Sequence, residues 1–322
     1  MLKIFSNYFK NKRIVLFAIT NACNCKCKMC SIWKQKDKKL VILKEAKKAL
    51  KKLHKNNFGF LQITGGEPLL NPDFFEIVRY AKKLGFVVFI VTNGTLIDRK
   101  IAKKLARLKV DNVGISFHHY DKKFFEKISG HRDIKEKVLN TIKFLKEENV
   151  PTEALFTITK YNKDSIEKTV KLINSLGMSV SFCTPMIVRN TSYTLGNDST
   201  KFSSRELKKI ILKIISLKKN YFIANNEIFL REIIDFLEGK NKFYCLGGYK
   251  IFYLDWNLNF YPCMAKGPGI PLEDVNFSFD KKVCNECIFQ CFREPSLALI
   301  SKPLAIKFAL KNFLNYLKLF RL

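Results

Sequence analysis

The stretch NACNCKCKMC at residues 21–30 carries four cysteines within eight positions. Four thiolates make one full ligand set for zinc or for an iron–sulfur cluster. Cys23, Cys27 and Cys30 have the spacing C-x3-C-x2-C, and one loop with this spacing can hold three corners of a cubic [4Fe–4S] cluster. One iron then has no protein ligand and is open to bind and activate another molecule. Cys25 as a fourth ligand would crowd the loop, so we interpret it as a bystander.

Five further cysteines lie between residues 245 and 291, which leaves Cys183 alone. We expect no signal peptide, because the N-terminus lacks a continuous apolar core and a small-residue cleavage site. Clustered cysteines in a chain that is not exported indicate metal ligands rather than disulfides. The sequence therefore predicts two separate metal-binding regions.

Six repeats of a short β-rich run and an amphipathic helical stretch occupy residues 13–183. The strands are predicted at 13–19, 58–64, 86–92, 110–117, 152–158 and 178–183, and the helices at 43–56, 73–84, 98–108, 133–148 and 164–176. Near-continuous apolar strands that alternate with helices predict a parallel sheet, rolled into an open or closed barrel. The polar motifs follow the strand ends, which is where such folds carry their chemistry. Residues 200–240 are predicted to form two helices, and 245–295 to be irregular.

Five motifs in this order resemble those of the radical S-adenosylmethionine (radical SAM) enzymes, over roughly residues 13–190. The cysteine loop matches the family's signature, TGGEP at 64–68 its second-strand motif, and TNGT at 92–95 the end of its third strand. GISF at 114–117 and TITKYN at 157–162 are similar to the fourth and fifth motifs. The resemblance implies that SAM is bound by Gly65, Gly66, Glu67, Pro68, Asn93, Ser116 and Asn162.

The family resemblance implies a fold, two cofactors and a chemistry. The fold is α/β, a partial (β/α)6 TIM-type barrel with a C-terminal helical and cysteine-rich extension. The open iron of a [4Fe–4S] cluster would chelate the methionine part of SAM, and one electron from a donor such as ferredoxin or flavodoxin would cleave SAM. The resulting 5′-deoxyadenosyl radical removes hydrogen from unactivated C–H bonds, while the protein positions the cofactor and excludes water.

The second cysteine region resembles the auxiliary-cluster modules of the Twitch and SPASM types. A strand–turn–strand pattern at 245–263 is predicted to bring Cys245 and Cys263 together, and Cys284-x2-Cys287 adds two thiolates. This closed set suits a second [4Fe–4S] cluster, with zinc as an alternative. Cys291 is either left over or replaces one of the four.

One departure from the family pattern follows the fourth strand. Many relatives that modify peptides have Asp-Gly after the serine, whereas this chain has Phe117, His118 and His119. An imidazole here could donate to a substrate phosphate or act as a catalytic acid or base, or it could simply pack. The sequence does not separate the two histidines, and Cys183 faces the same choice between a buried and a substrate-facing thiol.

The net charge of +30 favours an anionic partner. Neither residues 1–36 nor 295–322 contain an acidic residue, and a helix from about Leu304 would carry Lys307, Lys311 and Lys318 on a narrow strip. Such a helix suits a membrane interface, or it docks on the protein's own core. We predict a barrel with a basic arm at 1–195, a helical and cluster-binding region at 196–300, an amphipathic helix at 301–322, and a cytoplasmic protein on the inner membrane face.

The substrate is left open between several classes. The basic ends favour hydrocarbon chains of an anionic isoprenoid or glycerol-ether membrane lipid, joined through a new C–C bond. A peptide or protein maturase is the alternative, although no N-terminal peptide-recognition domain fits before residue 13. RNA would explain the charge, but no nucleic-acid domain is recognisable, so nucleic acid is not an expected partner. A non-enzymatic cluster-binding protein is the alternative outside enzymes.

Overall fold

The computed structural model describes residues 7, 10, 12–188, 194–240, 244–281 and 284–300. The strands are β1 (Arg13–Ala18), β2 (Phe58–Thr64), β3 (Val87–Thr92), β4 (Asn112–Ser116), β5 (Thr152–Thr157), β6 (Ser179–Cys183), β7 (Ile251–Leu254), β8 (Asn259–Tyr261) and β9 (Ile270–Pro271). The helices are α1 (Leu43–Lys55), α2 (Phe74–Leu84), α3 (Arg99–Arg107), α4 (Lys122–Ser129), α5 (Ile134–Glu147), α6 (Ile166–Ser175), α7 (Ser204–Leu217), α8 (Glu227–Leu237) and α9 (Gln290–Ile300). The six predicted strands and five predicted barrel helices are confirmed to within a few residues.

All nine strands form one sheet in the order β6-β5-β4-β3-β2-β1-β7-β8-β9. Strands β1 to β6 run parallel to their neighbours, and β8 and β9 are antiparallel. Strand β1 pairs with β2 along one edge and with β7 along the other. Because both edges of β1 are taken, β6 does not close the sheet against it. The partial (β/α)6 barrel is therefore confirmed, and it is open.

The strands are apolar because their outer faces lie under the helices. Phe17, Ile63, Ile90 and Ile115 are almost fully buried, as are the apolar faces of α1 and α2. Burying each such side chain contributes about 1.5–3 kcal/mol. The sheet and its helices therefore form the rigid frame that carries the strand-end loops.

Two helices lie where the sequence predicted none. Helix α4 is short, so its period is hard to detect; the Asp121 carboxylate caps it by accepting from the Phe124 amide at 3.1 Å, and Gly130 ends it with φ +60°. Helix α9 holds Pro295, a residue that usually argues against a helix. Both helices contact functional loops, as described below.

The C-terminal region is joined to the barrel by the sheet itself. Strand β7 falls in the predicted 196–300 region, yet it extends the barrel sheet along β1. Helix α9 packs on α8 through a fully buried pair in which Arg293 Nε donates to Glu232 Oε1 at 2.8 Å. The two domain boundaries, at 195 and 300, remain predictions, and the sheet crosses the first of them.

The predicted membrane helix at 301–322 and most of the basic N-terminal arm lie outside the described residues. Within the part that is described, no helix is long and apolar enough to span a bilayer. The membrane location therefore stays a prediction.

Candidate active site

The cysteine loop follows β1 and is held by backbone hydrogen bonds from two directions. The amides of Lys26 and Lys28 donate to the carbonyls of Ser129 and Ile128 at 2.8 and 2.9 Å, at the end of α4. On the other side, the Gly196 amide donates to the Met29 carbonyl at 2.7 Å. The loop is thereby fixed before any metal binds.

The three predicted ligands Cys23, Cys27 and Cys30 are half-buried on this loop. Among the described residues, the one trio of metal-ligating atoms that all lie within 4.8 Å of one another is the surface group Glu126, Asp133 and Glu136. Thiolates around one tetrahedral zinc would lie roughly 3.8 Å apart, given a Zn–S bond of ~2.3 Å. At least one pair of the three loop sulfurs is more than 4.8 Å apart, which fits a cluster better than a single ion.

Cys25 is buried inside the loop and contacts two of the predicted ligands. Its thiol hydrogen-bonds with the side chains of Cys23 and Cys27, which raises the pKa of Cys25. The same hydrogen bond lowers the pKa of Cys23 and favours its thiolate form. Burial has the opposite effect on Cys30 and raises its pKa to about 12, a cost that binding to a cationic metal would offset.

A shared backbone geometry links five of the predicted ligand cysteines. In each case the amide two residues further along the chain points at the sulfur. Gly247 N lies 3.4 Å from the sulfur of Cys245, and Ala265 N lies 3.3 Å from that of Cys263. The cysteines with this hydrogen bond are Cys23, Cys30, Cys245, Cys263 and Cys287. Hydrogen bonds to sulfur are one of the ways in which proteins tune iron–sulfur clusters.

The two glycines after β2 allow that turn to touch the start of the cysteine loop. The backbone of the turn approaches this segment closely: Gly66 N donates to the Thr20 carbonyl and Glu67 N to the Ala22 carbonyl, each at 2.8 Å. A Cβ on Gly65 would lie 2.3 Å from Thr20 O, and one on Gly66 would lie 2.1 Å from Ala22 O. The glycines are therefore needed for contact between two protein segments, in addition to the predicted contact with SAM.

Glu67 joins this turn to the end of β3. Its buried carboxylate accepts from Thr92 Oγ1 and from the Asn93 amide, both at 2.8 Å. Desolvation raises the pKa of Glu67 to about 7. The Asn93 side chain in turn donates to Asn24 Oδ1 at 2.8 Å and hydrogen-bonds to Cys23. Three strand-end loops are thus connected by one polar network.

Asn162 braces the ends of β4 and β5. It is fully buried, and its Nδ2 donates to the carbonyls of Thr157 at 2.9 Å and His118 at 3.1 Å. It does not line the cavity described next, whereas Ser116 and Gly65 do. The SAM-binding role of these residues remains a prediction.

A cavity of about 390 Å³ lies inside the curved sheet and reaches the cysteine loop. It touches side chains from all six barrel strands, together with Cys27 and Cys30. Its walls are largely apolar, with Leu16, Phe89 and Leu155 among them. A largely apolar cavity beside the cluster loop can shield a reactive radical from water.

The structure separates the two histidines. His118 lines the cavity, and burial lowers its pKa to about 4, so its ring is neutral near pH 7. The His119 ring is absent from the cavity lining, accepts from the Asp121 amide at 2.9 Å, and stacks on Tyr120 and Phe124. Only His118 is placed to meet a substrate.

The floor of the cavity holds a polar group that the sequence analysis missed. Glu153 accepts from Asn112 Nδ2 at 2.8 Å and from Ser181 Oγ at 2.5 Å, and desolvation raises its pKa. All three residues line the cavity. A charged residue inside a strand whose residues are all buried or half-buried is the sequence signal that could have revealed this group.

Four of the five cysteines of the second region lie close together. Cys245 and Cys284 exchange backbone hydrogen bonds of 2.8 and 3.1 Å, and Cys263 and Cys287 lie beside them. Burial raises the pKa of Cys245 and Cys263 to about 11. No three of these sulfurs lie within 4.8 Å of one another among the described residues, which again fits a cluster better than zinc.

Cys291 lies elsewhere and lines the barrel cavity together with Cys183. The structure therefore favours Cys245, Cys263, Cys284 and Cys287 as the second ligand set and Cys291 as the cysteine left over. Arg293 supports this set from behind, because its guanidinium donates to the Cys287 carbonyl at 2.8 Å.

Comparison with known proteins gives one family match and several relatives. Residues 17–173 match the model of the radical SAM superfamily. A probable GTP 3′,8-cyclase of Saccharolobus islandicus is 31% identical over 182 residues, which cover 56% of this chain and 58% of that protein. An AdoMet-dependent heme synthase of Methanosarcina barkeri is 27% identical over 64% of this chain and 59% of its own length. The chain thus spans less than two thirds of either relative.

Two solved structures share the fold over most of the chain. Streptococcus suis SuiB bound to S-adenosylmethionine superposes with a TM-score of 0.66, at 17% identity, over 83% of this chain and 64% of SuiB. The protein anSMEcpe with bound AdoMet and the Kp18Cys peptide gives 0.61, at 19% identity, over 81% of this chain and 78% of its own. At these identities the likeness concerns the fold.

Substitution of Gly66 tests the contact between the turn and the cysteine loop. In Gly66→Ala, the new Cβ would clash with the Ala22 carbonyl 2.1 Å away, so the loop has to move. We expect the first site to lose its iron, which is about half of the total if each site holds four. Iron analysis of the reconstituted protein measures this.

Gly239→Ala is the matched control. Gly239 also has positive φ, +72°, but nothing lies within 4 Å of its Cβ position. That variant should lose about 1–2 kcal/mol of stability from backbone strain and keep all its iron. Full iron in Gly66→Ala would show that the contact does not shape the site.

Proposed function

We propose that this chain, whose residues 17–173 match the model of the radical SAM superfamily, removes a hydrogen atom from a C–H bond of a substrate held in the barrel cavity. The observation that carries this proposal is the shared lining of one chamber. Cys27 and Cys30 line it together with Gly65, Ser116 and Thr157 at the ends of β2, β4 and β5. The cluster loop, the cofactor motifs and the proposed substrate space therefore meet in one cavity.

The family's cofactors are a [4Fe–4S] cluster and SAM, and this chain has the residues to hold both. Cys23, Cys27 and Cys30 would bind the cluster. When bound and reduced, the cluster and SAM together supply a 5′-deoxyadenosyl radical. The predicted SAM residues surround the same strand ends, where Glu67 and Asn93 keep the loops in register through their hydrogen bonds.

In this proposal the remaining cavity residues exclude water and orient the substrate. The apolar walls exclude water from the radical. His118 is neutral near pH 7, and its Nδ1 accepts from the Thr157 amide at 3.4 Å. Its Nε2–H can therefore donate one hydrogen bond to a substrate. The polar floor at Glu153 can orient a polar substrate group. His119 has a packing role, given its stacked position.

The second cysteine set is proposed to hold an auxiliary [4Fe–4S] cluster. Its support is the meeting of Cys245, Cys263, Cys284 and Cys287, their spacing, and the amide-to-sulfur hydrogen bonds shared with the first site. The electron donor is proposed to be a ferredoxin or flavodoxin. A net charge of +30 favours an acidic protein of that kind.

The membrane-lipid substrate and the new C–C bond stay predictions of the sequence. Apolar cavity walls suit a hydrocarbon chain, but none of the relatives named above is described as acting on a lipid. A peptide substrate is the second candidate. It is favoured by the fold shared with SuiB, which has been solved with its precursor peptide SuiA and superposes over 94% of this chain at 18% identity.

Loss of one loop cysteine tests the reaction class. Cys27→Ala should remove the first cluster and abolish formation of 5′-deoxyadenosine from SAM, because two thiolates cannot hold it in place. Liquid chromatography of anaerobic assays with dithionite measures the product. Cys25→Ala is the matched control and should retain the iron. Undiminished cleavage by Cys27→Ala would refute the assignment.

Iron content tests the second site. The wild-type protein should carry about eight iron atoms per chain, and Cys287→Ala should fall to about four. Cys291→Ala, four residues away, should keep all of them, because Cys291 faces the cavity. About four irons and one zinc in the wild-type protein would instead favour the zinc alternative.

Stimulation of SAM cleavage separates the two substrate classes. Radical SAM turnover should rise when the true substrate occupies the cavity. We expect an isoprenoid or ether-lipid extract to increase 5′-deoxyadenosine formation, and a peptide fraction from the same cells to leave it unchanged. The reverse result would establish the peptide alternative.

A further inference from the structure

Two thiols line the same cavity, and the proposed cluster sites use neither. Cys183 ends β6, and Cys291 lies in the first turn of α9. Both line the chamber that Cys27 and Cys30 also line. One thiol therefore comes from the barrel and the other from the auxiliary region.

Hydrogen bonds between the neighbours of these cysteines hold the two elements together. Thr184 Oγ1 donates to the Ile288 carbonyl at 2.7 Å and accepts from the Gln290 amide at 3.2 Å. Thr184 follows Cys183, and Gln290 precedes Cys291. The thiols are thus fixed at the junction between the barrel and the auxiliary cysteines.

Both thiols are kept in the protonated S–H form by their surroundings. Burial raises the pKa of Cys183 well above its ordinary value and that of Cys291 to about 12. A protonated thiol is a poor nucleophile and metal ligand. Its S–H bond is, however, weaker than an alkyl C–H bond, so a carbon radical beside it takes its hydrogen atom readily.

We propose that Cys183 is the hydrogen-atom donor to the carbon radical formed in the cavity. The substrate radical takes H from the Cys183 S–H, which forms a C–H bond and leaves a thiyl radical. One electron from a reduced iron–sulfur centre and one proton from solvent restore the thiol. Over the cycle, SAM, two electrons and one proton give methionine and 5′-deoxyadenosine, and the substrate hydrogen is replaced by one from solvent.

The donor is assigned to Cys183 because of its contacts. Thr157 hydrogen-bonds to the Cys183 sulfur, which leaves the thiol hydrogen without a fixed acceptor among the contacts described. The S–H of Cys291 points instead to Gln290 Oε1 at 3.5 Å. Cys183 also lies beside Thr157 in the sheet, next to the predicted SAM site.

This inference rests on the proposed function and predicts replacement of hydrogen rather than a new C–C bond. It can be tested without knowing the substrate, because the 5′-deoxyadenosyl radical itself should take the thiol hydrogen when the cavity is otherwise empty. The reconstituted holoenzyme is incubated with SAM and dithionite in D₂O, without added thiols. Mass spectrometry then measures deuterium in the 5′-deoxyadenosine.

In the wild-type protein, most of the 5′-deoxyadenosine should carry one deuterium from the exchanged thiol. Cys183→Ser should lower the labelled fraction about tenfold, since a serine O–H does not give up its hydrogen atom to a carbon radical. Cys291→Ser, a matched change in the same cavity, should keep the label. Label that survives in Cys183→Ser, or is lost in Cys291→Ser alone, would overturn the assignment.

A second measurement detects the thiyl radical on the protein itself. A nitrone spin trap added during a single turnover should be recovered on the peptide that contains Cys183, and an adduct elsewhere would contradict the proposal. Failure to form any 5′-deoxyadenosine would refute the proposed function itself. Formation of unlabelled 5′-deoxyadenosine by the wild-type protein would refute only the hydrogen-donor role.

Discussion

The close contact between the Gly65–Gly66 turn and the segment after β1 is the constraint on which the site depends. Backbone atoms meet there with no room for a side chain, and two hydrogen bonds of 2.8 Å fix the distance. The Glu67 carboxylate links this junction to the end of β3 by accepting from the Asn93 amide, and the Asn93 side chain hydrogen-bonds to Cys23. The position of the thiolates is therefore set by the sheet, before any metal binds.

The surroundings of the ten cysteines differ between the proposed metal ligands and the other cysteines. Five of the seven proposed ligands accept a hydrogen bond from the amide two residues later, a geometry that stabilises a thiolate or a metal–thiolate. Cys183 and Cys291 show no such bond among their described contacts and stay protonated in the cavity. Cysteine is thus proposed to have two roles in this chain, as a ligand of iron–sulfur clusters and as a hydrogen-atom donor.

Much of this arrangement could be predicted from the sequence. Apolar strands with interleaved helices gave the partial barrel, and cysteine spacing gave the loop and the second set. Contacts between distant segments could not be predicted from the sequence. These contacts place His118 but not His119 in the cavity lining, put Cys291 in the same lining, and bring the glycine turn against the segment after β1. Helix α9 begins in the stretch predicted to be irregular, and its interior Pro295 is a residue that a sequence pattern rarely places inside a helix.

The central claim is that the cluster held by Cys23, Cys27 and Cys30 keeps one iron for SAM. Electron–nuclear double resonance on the reduced protein, with SAM labelled with ¹⁵N in its amino group, tests it most directly. Cys287→Ala provides the sample, so that the second cluster does not contribute. The account predicts a ¹⁵N coupling that is replaced by a ¹⁴N coupling when unlabelled SAM is used. A fully loaded, reduced cluster with bound SAM and no such coupling would contradict it.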